Sequence, residues 1–264
     1  MTDPRQAAVI DRARTVLPQD ERVLAVYLVG SHASHEDDAY SDVDVHVVVT
    51  DEAAETYDFA TAMESIAGRL VLTDGIPGLS GGLGITPDWL HVDLIVHPLS
   101  EYDPDDYEAV LPLFDRSGNL LPEARVPGGN GDPYYPRRNV RLFFYFLGNL
   151  VNVLGRREYV VANMGVSAVR DQLIALMRAE RGVRRSGGVK RLNAFVSDEQ
   201  REFLESIPAV GCEPKDIIAA NQMICREFIR RGTALAAATG EEWPQEFVDA
   251  TLTHLREAFG VEFG

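Results

Sequence analysis

Apolar and polar positions along the chain follow two different periods. In the first half, short apolar runs and strict alternation suggest strands: VLAVYLVG at 23–30, VDVHVVV at 43–49, and WLHVDLIVHP at 89–98, the last ended by its proline. Residues 5–17 have the spacing of a short amphipathic helix, and residues 52–72 place Ala60, Met63, Ile66, Ala67 and Leu70 on one helical face. The glycine-rich TDGIPGLSGGLG at 73–84 reads as a long loop: flexible, covering a ligand, or simply connecting. LPLFDRSGNLLPE at 111–123 reads as a strand or helix end, an Asp-Arg-Ser-Gly turn and a short return. Beyond VPGGNGDPYYP at 126–136, dense in Gly and Pro, strand signals fade. Residues 137–155, 158–181, 191–207, 213–239 and 243–259 favour helix, with a capping box at Ser197-Asp-Glu-Gln200. The pattern predicts a strand-containing domain over 1–130 and a helical bundle over 131–264.

Alternation also sorts the chemistry. Along 42–49, Asp42, Asp44 and His46 share one strand face and Val43, Val45, Val47 and Val49 the other. Along 91–97, His91, Asp93, Ile95 and His97 oppose Val92, Leu94 and Val96. Three carboxylates held close together need cations, and Mg²⁺ suits them: it prefers oxygen ligands and is held by one or two carboxylates plus substrate phosphates. Two such ions would serve an in-line displacement at phosphorus. Gly30 lets the backbone approach a phosphate, and Ser31 adds a hydroxyl and an N–H.

Charge changes the picture in one respect. The net charge of −16 argues against general nucleic-acid binding. Residues 1–136 carry 25 Asp and Glu against 7 Lys and Arg, whereas 137–191 carry 12 basic residues against 3 acidic. This asymmetry suits metal ions and a polyanion meeting between two domains, or equally a set of solvated helix faces. Arg137, Arg138, Arg141, Lys190 and Arg191 are candidates for phosphate contacts from the second half. In the aromatic run Tyr134, Tyr135, Phe143, Phe144, Tyr145 and Phe146, most side chains are expected in the core and some in the wall of an acceptor pocket. Cys212 and Cys225 fit no disulfide framework or zinc pattern, and the histidines His32, His35, His46, His91 and His97 have no zinc spacing either. The N-terminus lacks a signal pattern and no run reaches the length of a membrane span, so a cytoplasmic protein is expected.

GSHASHEDDAYSDVDVHVVV resembles the signature of the nucleotidyltransferase superfamily that includes DNA polymerase beta and the antibiotic nucleotidyltransferases. HEDDAYSDVD, with RLFFYFLGNLVNVLGRREYVVA at 141–162, is most similar to the larger lincosamide nucleotidyltransferases. The resemblance implies an α+β fold, with a mixed β-sheet in a nucleotidyltransferase domain followed by an α-helical bundle. It implies a nucleoside triphosphate substrate, Mg²⁺ and transfer of a nucleotide, commonly AMP, to a hydroxyl of a small molecule. Two ions are then expected on Asp42, Asp44 and Asp93 and triphosphate contacts from Gly30 and Ser31, with Lys190 a candidate from the charge pattern and His35 either touching the triphosphate or narrowing its cradle. Homodimers are common in that group. Asp93 would bridge a metal or accept the proton of the attacking hydroxyl. One departure is His35, which stands where the family usually has a second glycine. The acceptor stays open between a lincosamide, an aminoglycoside, another metabolite and a protein hydroxyl. A non-catalytic, antitoxin-like role is the competing reading of another class, set against an intact carboxylate triad and a large helical half.

Overall fold

The computed structural model describes residues 3–126, 130–184 and 191–264. The chain divides into two compact units, Met1–Gly128 and Gly129–Gly264. Lys190 falls outside the described residues.

The first unit opens with α1 (Pro4–Val16). Asp3 caps it in a reciprocal capping box with Gln6, and proline occupies the first turn, where its missing N–H costs nothing. A six-stranded sheet follows, built from β1 (Val23–Leu28), β2 (Val43–Val49), β3 (Leu72–Gly75), β4 (Gly81–Ile85), β5 (His91–Pro98) and β6 (Leu111–Asp115). Its strand order is β3-β4-β5-β2-β1-β6. β2 and β5 run parallel and every other neighbouring pair is antiparallel, so the sheet is mixed. The short helices α2 (Gly30–Ala33), α3 (Asp51–Ala54) and α4 (Phe59–Ala67) lie between strands in the chain.

The two sheet faces separate as the alternation predicts. Val43, Val45, Val47 and Val49 join Val92, Leu94 and Val96 in a buried cluster with Val9 and Ala13 of α1 and Met63 and Ile66 of α4. Fully burying such a side chain contributes roughly 1.5–3 kcal/mol, so this face supplies much of the unit's cohesion. On the other face Ala25, Tyr27 and Val48 pack with Val110, Tyr102 and Tyr107.

Two expectations fail in this unit. The segment 73–84 is not a loop but most of the β3–β4 hairpin. Two of its glycines sit where neighbours come close: a Cβ on Gly82 would strike the Asp74 carbonyl and the Phe59 ring, and one on Gly84 would strike Met63. Likewise, 52–72 is not one helix. Asp58 accepts from the Thr61 N–H and starts α4 afresh, and Gly68, at φ +83°, ends it. Leu70 lies beyond the helix yet still packs against the valine cluster.

The second unit is helical: α5 (Arg137–Gly155), α6 (Tyr159–Glu180), α7 (Leu192–Phe195), α8 (Asp198–Ser206), α9 (Pro214–Thr239) and α10 (Gln245–Phe259). The predicted helix over 191–207 is split, because Ser197 caps α8 in the expected box with Gln200. Phe143 of α5 stacks on Phe228 of α9 at 3.6 Å between ring centroids, and Phe144 meets Trp243 edge-on. Arg231, almost wholly buried, is held by Glu180, Glu199 and Glu227. Among the described residues α6 is the one helix long and apolar enough to cross a membrane; its Val166, Val169, Leu173 and Met177 are buried in this core.

Candidate active site

β1 ends at Leu28, and the chain turns at once into the four-residue helix α2. Gly30 makes the turn possible. Its φ is +64°, and a Cβ there would collide with the carboxylate of Asp44. The Val29 N–H donates to the Asp44 carbonyl at 3.2 Å, which ties the turn to β2. Ser31 Oγ, next in the chain, is buried and has no hydrogen-bond partner among the described residues.

His35 lies just past α2 with φ +57°. The Glu36 N–H reaches back to the Ser31 carbonyl at 3.0 Å, the six-to-one bond of a helix that ends in a left-handed residue. This explains why glycine suits the position. Here an exposed imidazole occupies it at a conformational cost. The chain then returns to β2 through a loop that Gln6, fully buried on α1, pins by donating to the carbonyls of Asp38 (2.9 Å) and Ser41 (2.6 Å). Asp38 closes a local turn by accepting from Tyr40 N–H and Ser41 Oγ.

The carboxylates meet on one face of the parallel pair. Asp44 is directly opposite Asp93 in the β2–β5 register, beside Val43 opposite Val92. One residue before that pair, Asp42 and His91 come together: His91 Nδ1 is 3.6 Å from Asp42 Oδ2. The same ring places Nε2 at 2.9 Å from Asp93 Oδ1. That contact lacks hydrogen-bond alignment, so Asp93 Oδ1 is a buried carboxylate oxygen with no hydrogen bond. The four side chains make a two-by-two array, Asp42 and His91 in one row and Asp44 and Asp93 in the next. On its other side Asp93 is opposite Leu83 of β4. Among the described residues no group of three or more acidic, histidine or cysteine side chains is placed so that it could hold a metal ion by itself.

The remaining histidines of the strands do other work. His46 Nδ1 lies 2.9 Å from His97 Nε2, the Tyr107 hydroxyl is 3.3 Å from the same Nε2, and Tyr27 and Tyr102 pack around the pair. Burial, with His97 as the second cause, pushes His46 down to about 3; burial also lowers His97, against the pull of Asp106. Both rings are therefore neutral, one donating to the other. His32 is buried beside Asp37 at 3.8 Å, and burial lowers it too.

Sequence reasoning brought Gly30, Ser31, Asp42, Asp44 and Asp93 into one neighbourhood and missed three features. Gln6 gives no signal, being a lone amide 32 residues from its partner carbonyl. Trp89, 81% exposed at φ +61°, stands in the turn leading into β5. Tyr40, 96% exposed, stands in the loop leading into β2. An aromatic residue held at positive φ is a backbone outlier, and no sequence pattern reveals it.

A separate concavity of about 870 Å³ opens in the helical unit. Arg137, Arg138 and Arg141 rim it, with Tyr145 and Phe247 as its aromatic walls. Of the aromatic run, Tyr145 lines this pocket, whereas Phe143 and Phe144 are core.

No family model and no curated protein matches the chain. Among solved structures it is similar to an aminoglycoside 6-adenyltransferase from Bacillus subtilis, with a TM-score of 0.43 and 16% sequence identity over 96% of this chain and 97% of that one. A likeness of that size fixes neither activity nor substrate.

Proposed function

We propose that the chain is a Mg²⁺-dependent nucleotidyltransferase that moves a nucleoside monophosphate, AMP from ATP in the first instance, onto a hydroxyl of a small molecule and releases pyrophosphate. The observation that carries this reading is the array itself: Asp44 and Asp93 in register on adjacent parallel strands, beside a glycine turn that has room for Asp44 and nothing larger than hydrogen. The donor set fits the ion. It is made of hard oxygens, one of them a buried carboxylate oxygen with no hydrogen bond, and an incomplete protein cage suits Mg²⁺, whose shell substrate phosphates complete. Asp42, Asp44 and Asp93 would hold it. When bound, one or two ions would neutralise charge on the triphosphate and acidify the acceptor hydroxyl.

The chain's own groups do the rest. Ser31 Oγ, which lacks a hydrogen-bond partner among the described residues, donates to a phosphate oxygen, and Gly30 lets that phosphate approach the backbone. Asp93 accepts the proton of the acceptor hydroxyl. The acceptor oxygen then bonds to the α-phosphorus as the bond to the pyrophosphate oxygen breaks. An antibiotic of the lincosamide type heads the list of acceptors, and an aminoglycoside, another metabolite or a protein hydroxyl would use the same chemistry.

Pyrophosphate release, followed with each of four NTPs and Mg²⁺ against a panel of lincosamides, aminoglycosides and metabolites, tests the proposal. Asp44→Asn is expected to lower turnover by roughly 10³-fold, about 4 kcal/mol of transition-state stabilisation, with an unchanged circular dichroism spectrum. Near-native turnover by that variant, or no release from the wild type with any NTP, would remove the reading.

A further inference from the structure

We infer that His91 is a positioning residue that occupies the cation's place in the carboxylate array and yields it when a divalent ion enters. The inference rests on the metal-site reading above. Its basis is geometric. One imidazole spans two carboxylates, with Nδ1 3.6 Å from Asp42 Oδ2 and Nε2 2.9 Å from Asp93 Oδ1. The ring is 30% exposed, so it has solvent to turn into, while its partner Asp93 sits between Asp44 and Leu83 with less freedom.

A Mg²⁺ ion on Asp93 Oδ1 would lie about 2.1 Å from that oxygen. Nε2 already lies close to the same buried oxygen, without the alignment of a good hydrogen bond. Whether neutral or cationic, the ring crowds the lone pairs that an ion would use. Imidazole nitrogen is also a poor ligand for a hard ion that prefers oxygen, so His91 is displaced rather than recruited. In the absence of an ion the ring gives two carboxylates a polar neighbour and limits their repulsion. His91 therefore acts through Asp42 and Asp93: it holds them apart and oriented when no ion is bound, and it raises the ion concentration needed to load the site.

The test uses the full chain and the metal alone. Mn²⁺ binding, counted from the electron paramagnetic resonance signal of the free ion, is measured for wild type, His91→Ala, His91→Gln and Asp44→Asn. Thermal unfolding is followed with and without Mg²⁺. His91→Ala is expected to bind Mn²⁺ about 3–10-fold more tightly, to unfold at a lower temperature without ion, and to gain a larger Mg²⁺-dependent shift than wild type. His91→Gln, which keeps an amide donor on a similar stem, is expected to fall between the two. Weaker or unchanged Mn²⁺ binding in a folded His91→Ala overturns the inference, as does an equal fall in melting temperature with and without Mg²⁺, which would mark a purely structural role. If the wild type binds no Mn²⁺, or Asp44→Asn binds as well as wild type, the metal-site reading itself fails, a result distinct from failure of the His91 inference alone.

Discussion

The two faces of β2 are built from one seven-residue run and behave as different materials. On one face Val43, Val45, Val47 and Val49 are fully buried against α1 and α4. On the other, Asp44 stays partly exposed beside Asp93, and two residues further on His46 is buried against His97 and tyrosines. The apolar face tolerates no charge and sets stability. The polar face accepts charge at its open end and becomes neutral and dry along its length. A single strand thus anchors the carboxylates to the best-packed part of the unit, which is what a site needing sub-ångström positions requires.

The sharpest way to break this comparison is to put a carboxylate on the wrong face. Val43→Asp, one residue from Asp44, would bury an unpaired charge among valines at a position with no solvent exposure. It is expected to cost about 4 kcal/mol or more, enough to unfold the unit. The yield of soluble protein and the urea midpoint measure it. A stable Val43→Asp protein would mean that the faces are assigned backwards.

Gly30→Ala tests the junction between turn and strand. The methyl group must coexist with the Asp44 carboxylate and a φ of +64°. Left-handed backbone alone costs an alanine about 1–2 kcal/mol, and a displacement of Asp44 by about 1 Å would lower turnover by about 10²-fold. Turnover falling by more than stability accounts for is the expected signature. Native turnover would show that Asp44 need not stay where it is.

The dry end of the polar face sets a pH dependence. His32, His46 and His97 are all lowered by burial, His46 to about 3. The folded state keeps them neutral, while the unfolded state takes up protons below about 6.5. Stability is therefore full above that value and is lost as pH falls toward 3. Between pH 7 and 5 His46 alone should cost about 2 kcal/mol. Urea midpoints at pH 7, 6 and 5 check this, and His46→Gln should flatten the slope without abolishing it, since His32 and His97 remain.

How much of this was legible in the sequence follows from where the information lies. Strand 43–49 and helix 137–155 match their elements residue for residue, because a period of two or of 3.6 carried over many positions is a local signal. The hairpin at 72–85 was not legible. Its glycines look like loop residues; the proximity of Phe59, Met63 and Asp74 explains Gly82 and Gly84, and a positive φ explains Gly78 and Gly81. The carboxylate array was half legible. Alternation placed each Asp on a face, but the parallel pairing that sets Asp44 opposite Asp93 and His91 beside Asp42 joins segments some fifty residues apart. No local pattern encodes that register.

The smallest expected effect concerns His35, where stability and binding should move in opposite directions. His35 holds a left-handed conformation that costs a non-glycine residue about 1–2 kcal/mol. Glycine removes that strain but adds freedom to the unfolded chain, worth about 0.4–1 kcal/mol in reverse. His35→Gly should therefore stabilise the protein by about 0.5–1 kcal/mol, read as a higher urea midpoint at unchanged slope. A chain that keeps histidine at such a position gives up stability there, and strain of this kind concentrates where a side chain is used. The imidazole is exposed, four residues past Ser31 and on the turn that Ser31 itself helps close, so its use is expected to be a contact to the triphosphate. Calorimetric titration of ATP with Mg²⁺ should then show His35→Gly binding several-fold more weakly despite its greater stability. Equal or tighter binding by the more stable variant would mean that the histidine is a tolerated intrusion in a glycine position, and that Gly30 and Ser31 hold the phosphates without it.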